Sequence, residues 1–243
     1  MTATGRPPSI PFSALPDHLQ LPDVLIPLEW RRSSRARRLS IRLSRSSDSV
    51  IITLPATTPA EAGLKLLRTH TGWVEKQLQR RPAPVRLVDG GYVPLDGQPH
   101  RIRHVPQSRG GAWLAGEELH VSGDATFLAR RVGDFLHELG KERLRIRLMQ
   151  QVTRTDLRPT HIAVRDTTSR WGSCSATGRI MLSWRLVMAP LAVQDYVILH
   201  ELCHLRHHNH GTAFWKEVER VCPGYRTAEE WLSQHGSALM RAG

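Results

Sequence analysis

One stretch constrains this chain more than any other: His200-Glu201-Leu202-Cys203-His204-Leu205-Arg206-His207-His208-Asn209-His210. His200 and His204 are four residues apart, so a helix sets them on one face, one turn from each other. Two imidazoles so placed can close on one metal ion, with zinc–nitrogen bonds of about 2.0–2.1 Å. Glu201 follows the first of them and is placed to act on water at the metal rather than on the metal itself. This is the H-E-x-x-H arrangement of zinc-assisted hydrolysis, in which the Glu is the general base.

Such a site takes a third protein ligand and leaves a fourth position open. A continuing helix cannot supply it, because at ~1.5 Å per residue His207 and His208 would lie about 10 and 12 Å along the axis from His200. The chain must therefore turn back after His204. Asn209 and Gly211 both tolerate a left-handed backbone and flank His210, which makes His210 the favoured third ligand. The spacing from His204 to His210 is that of metzincins, although His207 stands where they have glycine and no Met-turn is visible. Glu217 and Glu219, in the next helix, are the alternatives, as in gluzincin-type sites. The apolar run Tyr196-Val197-Ile198-Leu199 ahead of the motif predicts a half-buried helix rather than a solvated face carrying histidines by chance. Cys203 lies roughly 60° from His200 and 100° from His204 around the helix, so it reads as a small buried hydrophobe. His207 and His208 read as surface or outer histidines.

A longer series of residues resembles a known family. Arg170-Trp171-Gly172-Ser173-Cys174-Ser175, Ile180-Met181-Leu182-Ser183-Trp184-Arg185-Leu186, Asp195 through His204, Asn209-His210, Phe214-Trp215 and Trp231-Leu232 occur in that order. Together they resemble the YgjP-like metallopeptidases, relatives of the SprT-like zincins, with the likeness running from about Val24 to about Leu239. The specific part is Arg165 to Trp215. The resemblance implies a zincin-like catalytic half, zinc held by His200, His204 and His210, and Glu201 as the catalytic residue. The family usually has serine after the Asn-His pair, where this chain has Gly211. Some members carry a nucleotide pyrophosphatase label, so the resemblance specifies the metal site more closely than the substrate.

A chain of 243 residues can bury a real core, as one domain or two small ones. No apolar run approaches the ~18 residues a membrane helix needs. Met1 to Leu21 is Pro-rich without a continuous apolar stretch, which predicts a disordered tail over 1–22 rather than a signal peptide. Cys174, Cys203 and Cys222 are too scattered for a disulfide framework and fit a reducing cytoplasm. No C-x-x-C pair marks a structural zinc, and Cys174 has no visible partner to activate it as a nucleophile. The net charge is +12, with Arg31, Arg32, Arg35, Arg37, Arg38, Arg42 and Arg45 crowded together. Arg143, Arg145, Arg147, Arg154 and Arg158 form a second cluster. Arg31 to Arg45 make nucleic acid a candidate partner, the alternative being a solvated face of a strand or helix, and no base-reading motif accompanies them.

The predicted class is α+β: an N-terminal α+β part over 23–123 and a zincin-like part over 124–243. Alternation in Leu39-Ser40-Ile41-Arg42-Leu43, then Val50 to Leu54 after a Ser/Asp turn, predicts a hairpin. Thr58 and Pro59 open a helix that runs to about Pro82. Turn signals at Asp89-Gly90-Gly91, Asp96-Gly97 and Gly110-Gly111 predict a small meander over 85–122. A long helix follows from about Ala125 to Thr155, then strands at 160–165 and 179–186. Pro190 opens the metal helix, and a further helix from about Thr212 ends at Pro223-Gly224. No internal repeat is visible in the sequence.

The chemistry expected is peptide hydrolysis, with Ile180 to Leu186 as the strand along which an extended substrate adds. Arg170, the backbone at Gly172 and Ser173, and Tyr225 are the candidate contacts for substrate or oxyanion. Two rival readings use the same residues. A nucleotide (UTP-type) pyrophosphatase would set arginines against phosphates, but no dense Asp/Glu cluster adjoins the histidines. A basic nucleic-acid-associated module with structural zinc would have no use for Glu201 and an open ligand position.

Overall fold

The structure, a computed structural model, describes residues 10–44, 47–167 and 169–242. Arg45 and residues 1–9 of the N-terminal tail therefore lie outside the described residues. The rest of the tail expected to be disordered holds a 3-10 turn at Phe12–Ala14 and a strand at His18–Gln20, which pairs with the strand that follows. The chain is mixed α+β and divides into two compact units, 1–81 and 82–243. Among the described residues no helix is long and apolar enough to cross a membrane.

The first unit contains β1 (His18–Gln20), β2 (Leu25–Ser33), β3 (Ser40–Leu43), β4 (Val50–Pro55), α1 (Ala60–Thr69) and α2 (Thr71–Gln79). Its sheet order is β1-β2-β4-β3. The expected hairpin is present as β3 antiparallel to β4, and β2 runs parallel to β4 on the other side. Register sets Leu28 beside Val50 and Trp30 and Ile41 beside Ile52. That face packs with Leu67 and Val74 of the helices into one core. The single helix expected over 59–82 is broken at His70. There His70 Nδ1 lies 2.9 Å from the Leu66 carbonyl, and the Thr71 hydroxyl donates to the Leu67 carbonyl. Side chains that bond back to the preceding turn compete with helix continuation. Thr58 makes no capping hydrogen bond, and Pro59 occupies the cap position.

The second unit opens with β5 (Tyr92–Leu95), β6 (Gln98–His104), β7 (Ala112–Ala115) and β8 (Glu118–Val121). They form a sheet in the order β5-β6-β8-β7, with β6 and β8 parallel, not the expected meander. This order and its pattern of pairing match those of the first sheet, so a topology is repeated where no repeat is visible in the sequence. The sheet's Val93, Leu95, Ile102, Leu119 and Val121 join the core of the following helices. The compact division accordingly falls after Arg81 rather than at the expected 123/124.

Helix α3 (Leu128–Arg154) buries Leu128, Val132, Leu136, Leu144, Leu148 and Val152, every fourth residue along one stripe. Gly140 completes the series because a backbone crosses there. A Cβ on Gly140 would stand 2.8 Å from the carbonyl oxygen of Trp184, in the 3-10 turn Trp184–Met188. Beyond α3 come β9 (His161–Arg165), β10 (Gly172–Cys174), β11 (Arg179–Ser183), α4 (Leu191–Cys203), α5 (Thr212–Val221) and α6 (Tyr225–Met240). Their sheet is ordered β10-β11-β9. β11 is the central strand, so of the segment expected to receive an extended substrate Ile180 to Leu182 are already paired on both sides, and Trp184 to Leu186 lie in the 3-10 turn rather than in a strand. The edge nearer the histidine helix is β10.

The Gly140 contact separates two glycines on one helix. Nothing lies within 4 Å of a Cβ built on Gly133. Gly133→Ala should stabilise the protein by up to ~1 kcal/mol through helix propensity. Gly140→Ala should destabilise it despite the same gain, since overpacking against fixed backbone costs ~1–3 kcal/mol. Urea denaturation of both variants checks this, and a stabilised Gly140→Ala would show that the crossing does not press on the helix.

Candidate metal centre

Helix α4 carries the motif and is fastened along its length. Pro190 is its cap residue, and a Cβ on Gly97 would stand 2.9 Å from Pro190 Cα. The β5–β6 turn therefore docks there, with Asp96 (φ 51) and Gly97 (φ 82) both left-handed. Asp96 accepts hydrogen bonds from Arg143 (2.5 Å) and Gln194 (2.8 Å). The next residue, Asp195, accepts from Arg147 and Gln151 of α3, each at 2.7 Å. These contacts fix the azimuth of α4 and so the direction of His200 and His204.

After His204 the chain turns back within one tight turn, Arg206 and His207 both donating to the Cys203 carbonyl. The reversal needs no left-handed residue, contrary to expectation. Gly211 has φ −74, and Asp96 is the one non-glycine with positive φ among the described residues. Asn209 contributes through its side chain, whose Oδ1 accepts from the Gly211 amide at 3.3 Å.

His200, His204 and His210 converge, with a potential ligand atom of each within 4.8 Å of the others. His200 Nε2 and His210 Nε2 are 3.1 Å apart. Nitrogens on a tetrahedral zinc would be separated by about 3.3 Å, so the donor set fits one metal ion. His204 Nδ1 donates to the His207 carbonyl at 2.9 Å, which leaves its Nε2 lone pair free. His200 Nδ1 faces the Tyr196 hydroxyl at 3.5 Å. Phe214, fully buried, touches all three imidazoles, stacking on His204 at 4.5 Å and meeting His200 and His210 by its edge or theirs.

The electrostatics favour neutral imidazoles and an unpartnered carboxyl. Burial, then the neighbouring His204 and His210, pushes His200 down to about 4. Burial also lowers His204. Glu201 is 6% exposed, and its Oε2 has no hydrogen-bond partner. Burial pushes it up to about 7, with Arg170 pulling the other way. Glu201 is pressed from the side of β10, for a Cβ on Gly172 would stand 2.6 Å from its Cγ and 2.7 Å from its Oε1.

The other expected residues divide. Glu217 is occupied by Arg206 and Arg220, each at 2.9 Å, and is no member of the histidine cluster. Glu219 lines a cavity of about 630 Å³ that also borders His210, Trp215 and Tyr225. Cys203 is wholly buried, its thiol pushed up to about 12 chiefly by burial. Ser173 pairs with Met181 inside the ladder, because Ser183 donates to Trp171 and Ser175 to Arg179 on either side. The alternation turns the amides and carbonyls of Gly172 and Cys174 to the open edge instead. Tyr225 is 5% exposed and stacks between Tyr196 and Trp215. Sequence reasoning missed Phe214 and Tyr196 at the site. The spacing of Tyr196 four before His200 was the available signal, whereas nothing local marked Phe214. Of the basic segment, Arg31 pairs with Glu29 and Arg32 donates to the carbonyls of Ala56 and Thr58. Arg35, Arg37, Arg38 and Arg42 are exposed.

No curated protein matches this chain. Among solved structures, the crystal structure of the metallopeptidase zymogen of Pyrococcus abyssi abylysin is similar at 25% identity, over 40% of this chain and 96% of that one, with a TM-score of 0.35. The family model described as YgjP-like, metallopeptidase domain matches residues 37–235, which include every histidine of the cluster and Glu201, and the chain belongs to that family.

Proposed function

We propose that this protein is a zincin-like, zinc-dependent peptidase acting on peptides or proteins, with His200, His204 and His210 as the metal ligands and Glu201 as the general base. One observation carries the reading: three imidazoles converge on one point, and the carboxyl adjoining the first of them is buried with an unpartnered oxygen. Zinc held there would supply a Lewis acid that polarises the scissile carbonyl and makes water acidic enough to ionise near neutrality. Glu201 takes the proton of the attacking water and delivers it to the leaving amine. Its burial suits a group that must be a base in one step and an acid in the next. The open edge of β10 takes an extended peptide as an added strand through the amides and carbonyls of Gly172 and Cys174. Arg170 and the Tyr225 hydroxyl are the remaining groups proposed to contact substrate or the developing oxyanion. Three free cysteines support a reducing, cytoplasmic setting. A nucleotide pyrophosphatase has less support, since among the described residues the histidines are the one cluster of metal-ligating groups and no second carboxylate site adjoins them.

Purified protein should hold about one zinc per chain, and His200→Ala, His204→Ala and His210→Ala should each lose most of it. If His210→Ala keeps its zinc while Glu217→Ala or Glu219→Ala loses it, the third ligand is wrongly assigned. Glu201→Gln should keep the metal and lose ~10²–10⁴-fold in peptide hydrolysis. Activity at the wild-type level in this variant would sink the mechanism. Gly172→Ala should lower kcat at unchanged zinc content, because its Cβ displaces the Glu201 carboxyl. A Gly172→Ala enzyme with wild-type turnover would mean that the contact does not position Glu201.

A further inference from the structure

The three imidazoles are not held alike. His200 lies in α4 and His204 is its C-terminal cap residue, and each has a polar partner for its second nitrogen, the Tyr196 hydroxyl and the His207 carbonyl. His210 is exposed and sits on a connection between helices. Among the described residues its one hydrogen-bond-length contact is with His200 itself, the fellow member of the cluster. Metal-binding histidines are ordinarily oriented through the nitrogen that does not bind the metal. His210 therefore needs another kind of restraint.

Phe214 meets His210 at 4.7 Å and 80°, edge to face, and the ring stacked on His210 belongs to a column. His210 stacks on Trp215 with centroids 5.7 Å apart and planes 29° apart. Trp215 stacks on Tyr225 at 5.4 Å and 23°. Tyr225 stacks on Tyr196 at 6.2 Å and 26°. All three separations and tilts fall in the range of favourable offset stacking. The column draws one ring from the connecting segment and one each from α5, α6 and α4. It begins on His210 and ends on the residue whose hydroxyl faces His200 Nδ1 at 3.5 Å. Both ends of the column are thus at members of the same histidine cluster. The stack also occupies faces of Trp215 and Tyr225 that would otherwise be free to lie against a substrate in the adjoining cavity. The polar atoms and ring edges are what remain for it.

We propose that the column His210–Trp215–Tyr225–Tyr196 is a positioning device for the metal centre, in which Trp215 sets the exposed third ligand and Tyr196 closes the column onto the first. The proposal rests on the reading of His210 as a ligand. Trp215 and Tyr196 are positioning residues here, read in metal affinity rather than in turnover, while Tyr225 lends the column its ring and keeps its hydroxyl for substrate. It also makes the seating of α6 a determinant of metal affinity, although α6 contributes no ligand to the cluster.

The test is a zinc-affinity measurement on the full chain, by competition with a chromophoric chelator, alongside the visible spectrum of the cobalt-substituted protein. Trp215→Ala should lose ~10–100-fold in affinity, the range for partners that orient a ligand, and should alter the cobalt spectrum. Trp215→Phe, which keeps a ring to stack, should recover most of that loss. In a His210→Ala background Trp215→Ala should cost clearly less than in the wild type, the remainder passing through its edge contact with His200 at 5.9 Å. Wild-type affinity in folded Trp215→Ala, or an equal loss with and without His210, would overturn the proposal while leaving the ligand assignment intact. Wild-type affinity in His210→Ala would instead overturn the ligand assignment, and the column's role with it. Should Trp215→Ala fail to fold, Tyr196→Phe removes a single oxygen and keeps every ring. It should lose up to ~10-fold in affinity, and an unchanged value would overturn the closure onto His200.

Discussion

A carboxyl buried where no donor reaches one of its oxygens is the constraint on which the rest of this unit turns. An ionised carboxylate so placed carries a penalty of several kcal/mol unless a cation or hydrogen bonds compensate it. Here burial pushes Glu201 up to about 7, and the neighbouring His200 down to about 4. Burial thereby shifts each group toward its neutral form. Neutral imidazoles with free lone pairs are what a metal requires, and a cation beside the carboxyl would favour its ionised form. The arrangement stores its cost in α4, and α4 is correspondingly tied down. Asp195 is held by α3, Gln194 by the β5–β6 turn, and the helix start by the close approach of Gly97. From the sheet side, Gly172 lets β10 come so near that no side chain fits between strand and carboxyl.

How much of this is legible in the sequence follows from how local each feature is. The pair His200 and His204 is set by helical spacing alone, and the need for a reversal after His204 follows from the rise of a helix. The means of the reversal does not: a tight turn and the Asn209 side chain make it, not left-handed residues at 209 and 211. The hairpin of β3 and β4 is written in its alternation and its turn. Alternation gives the face of a strand but not its neighbours, so β6 beside β8 and the central place of β11 are invisible to it. Gly140 reads in sequence as a gap in the apolar stripe of α3, and only the crossing backbone of Trp184 explains it.

The repeated order of the two four-stranded sheets makes the same point from the other side. In each, two antiparallel hairpins meet along a parallel central pair, β2 with β4 and β6 with β8. The two central pairs share little sequence. Leu28 stands beside Val50 in one, and Ile102 beside Leu119 in the other. Any apolar residue of suitable size satisfies an inward position, so a topology can recur while its residues differ. The two sheets are also covered differently, the first by a helix pair broken at His70 and the second by the unbroken α3. Nothing in the strands themselves dictates that choice.

The unequal support of the three histidines has a thermodynamic consequence. His200 and His204 can leave their places only if α4 moves, and α4 is fastened into the core at several points. His210 needs only the short segment between α4 and α5 to open, and that segment buries little: Arg206, His208, Asn209 and Gly211 are all exposed or nearly so. Segments with few buried contacts open at the low end of the stability range, well below the free energy of global unfolding. A metal bound by all three histidines would favour the closed segment by mass action, as any ligand favours the state that binds it. The stack on Trp215 acts in the same direction before any metal arrives, by reducing the conformations from which His210 must be recovered. Order in the segment and affinity for the metal are therefore two expressions of one equilibrium, and the rings behind His210 set where it lies.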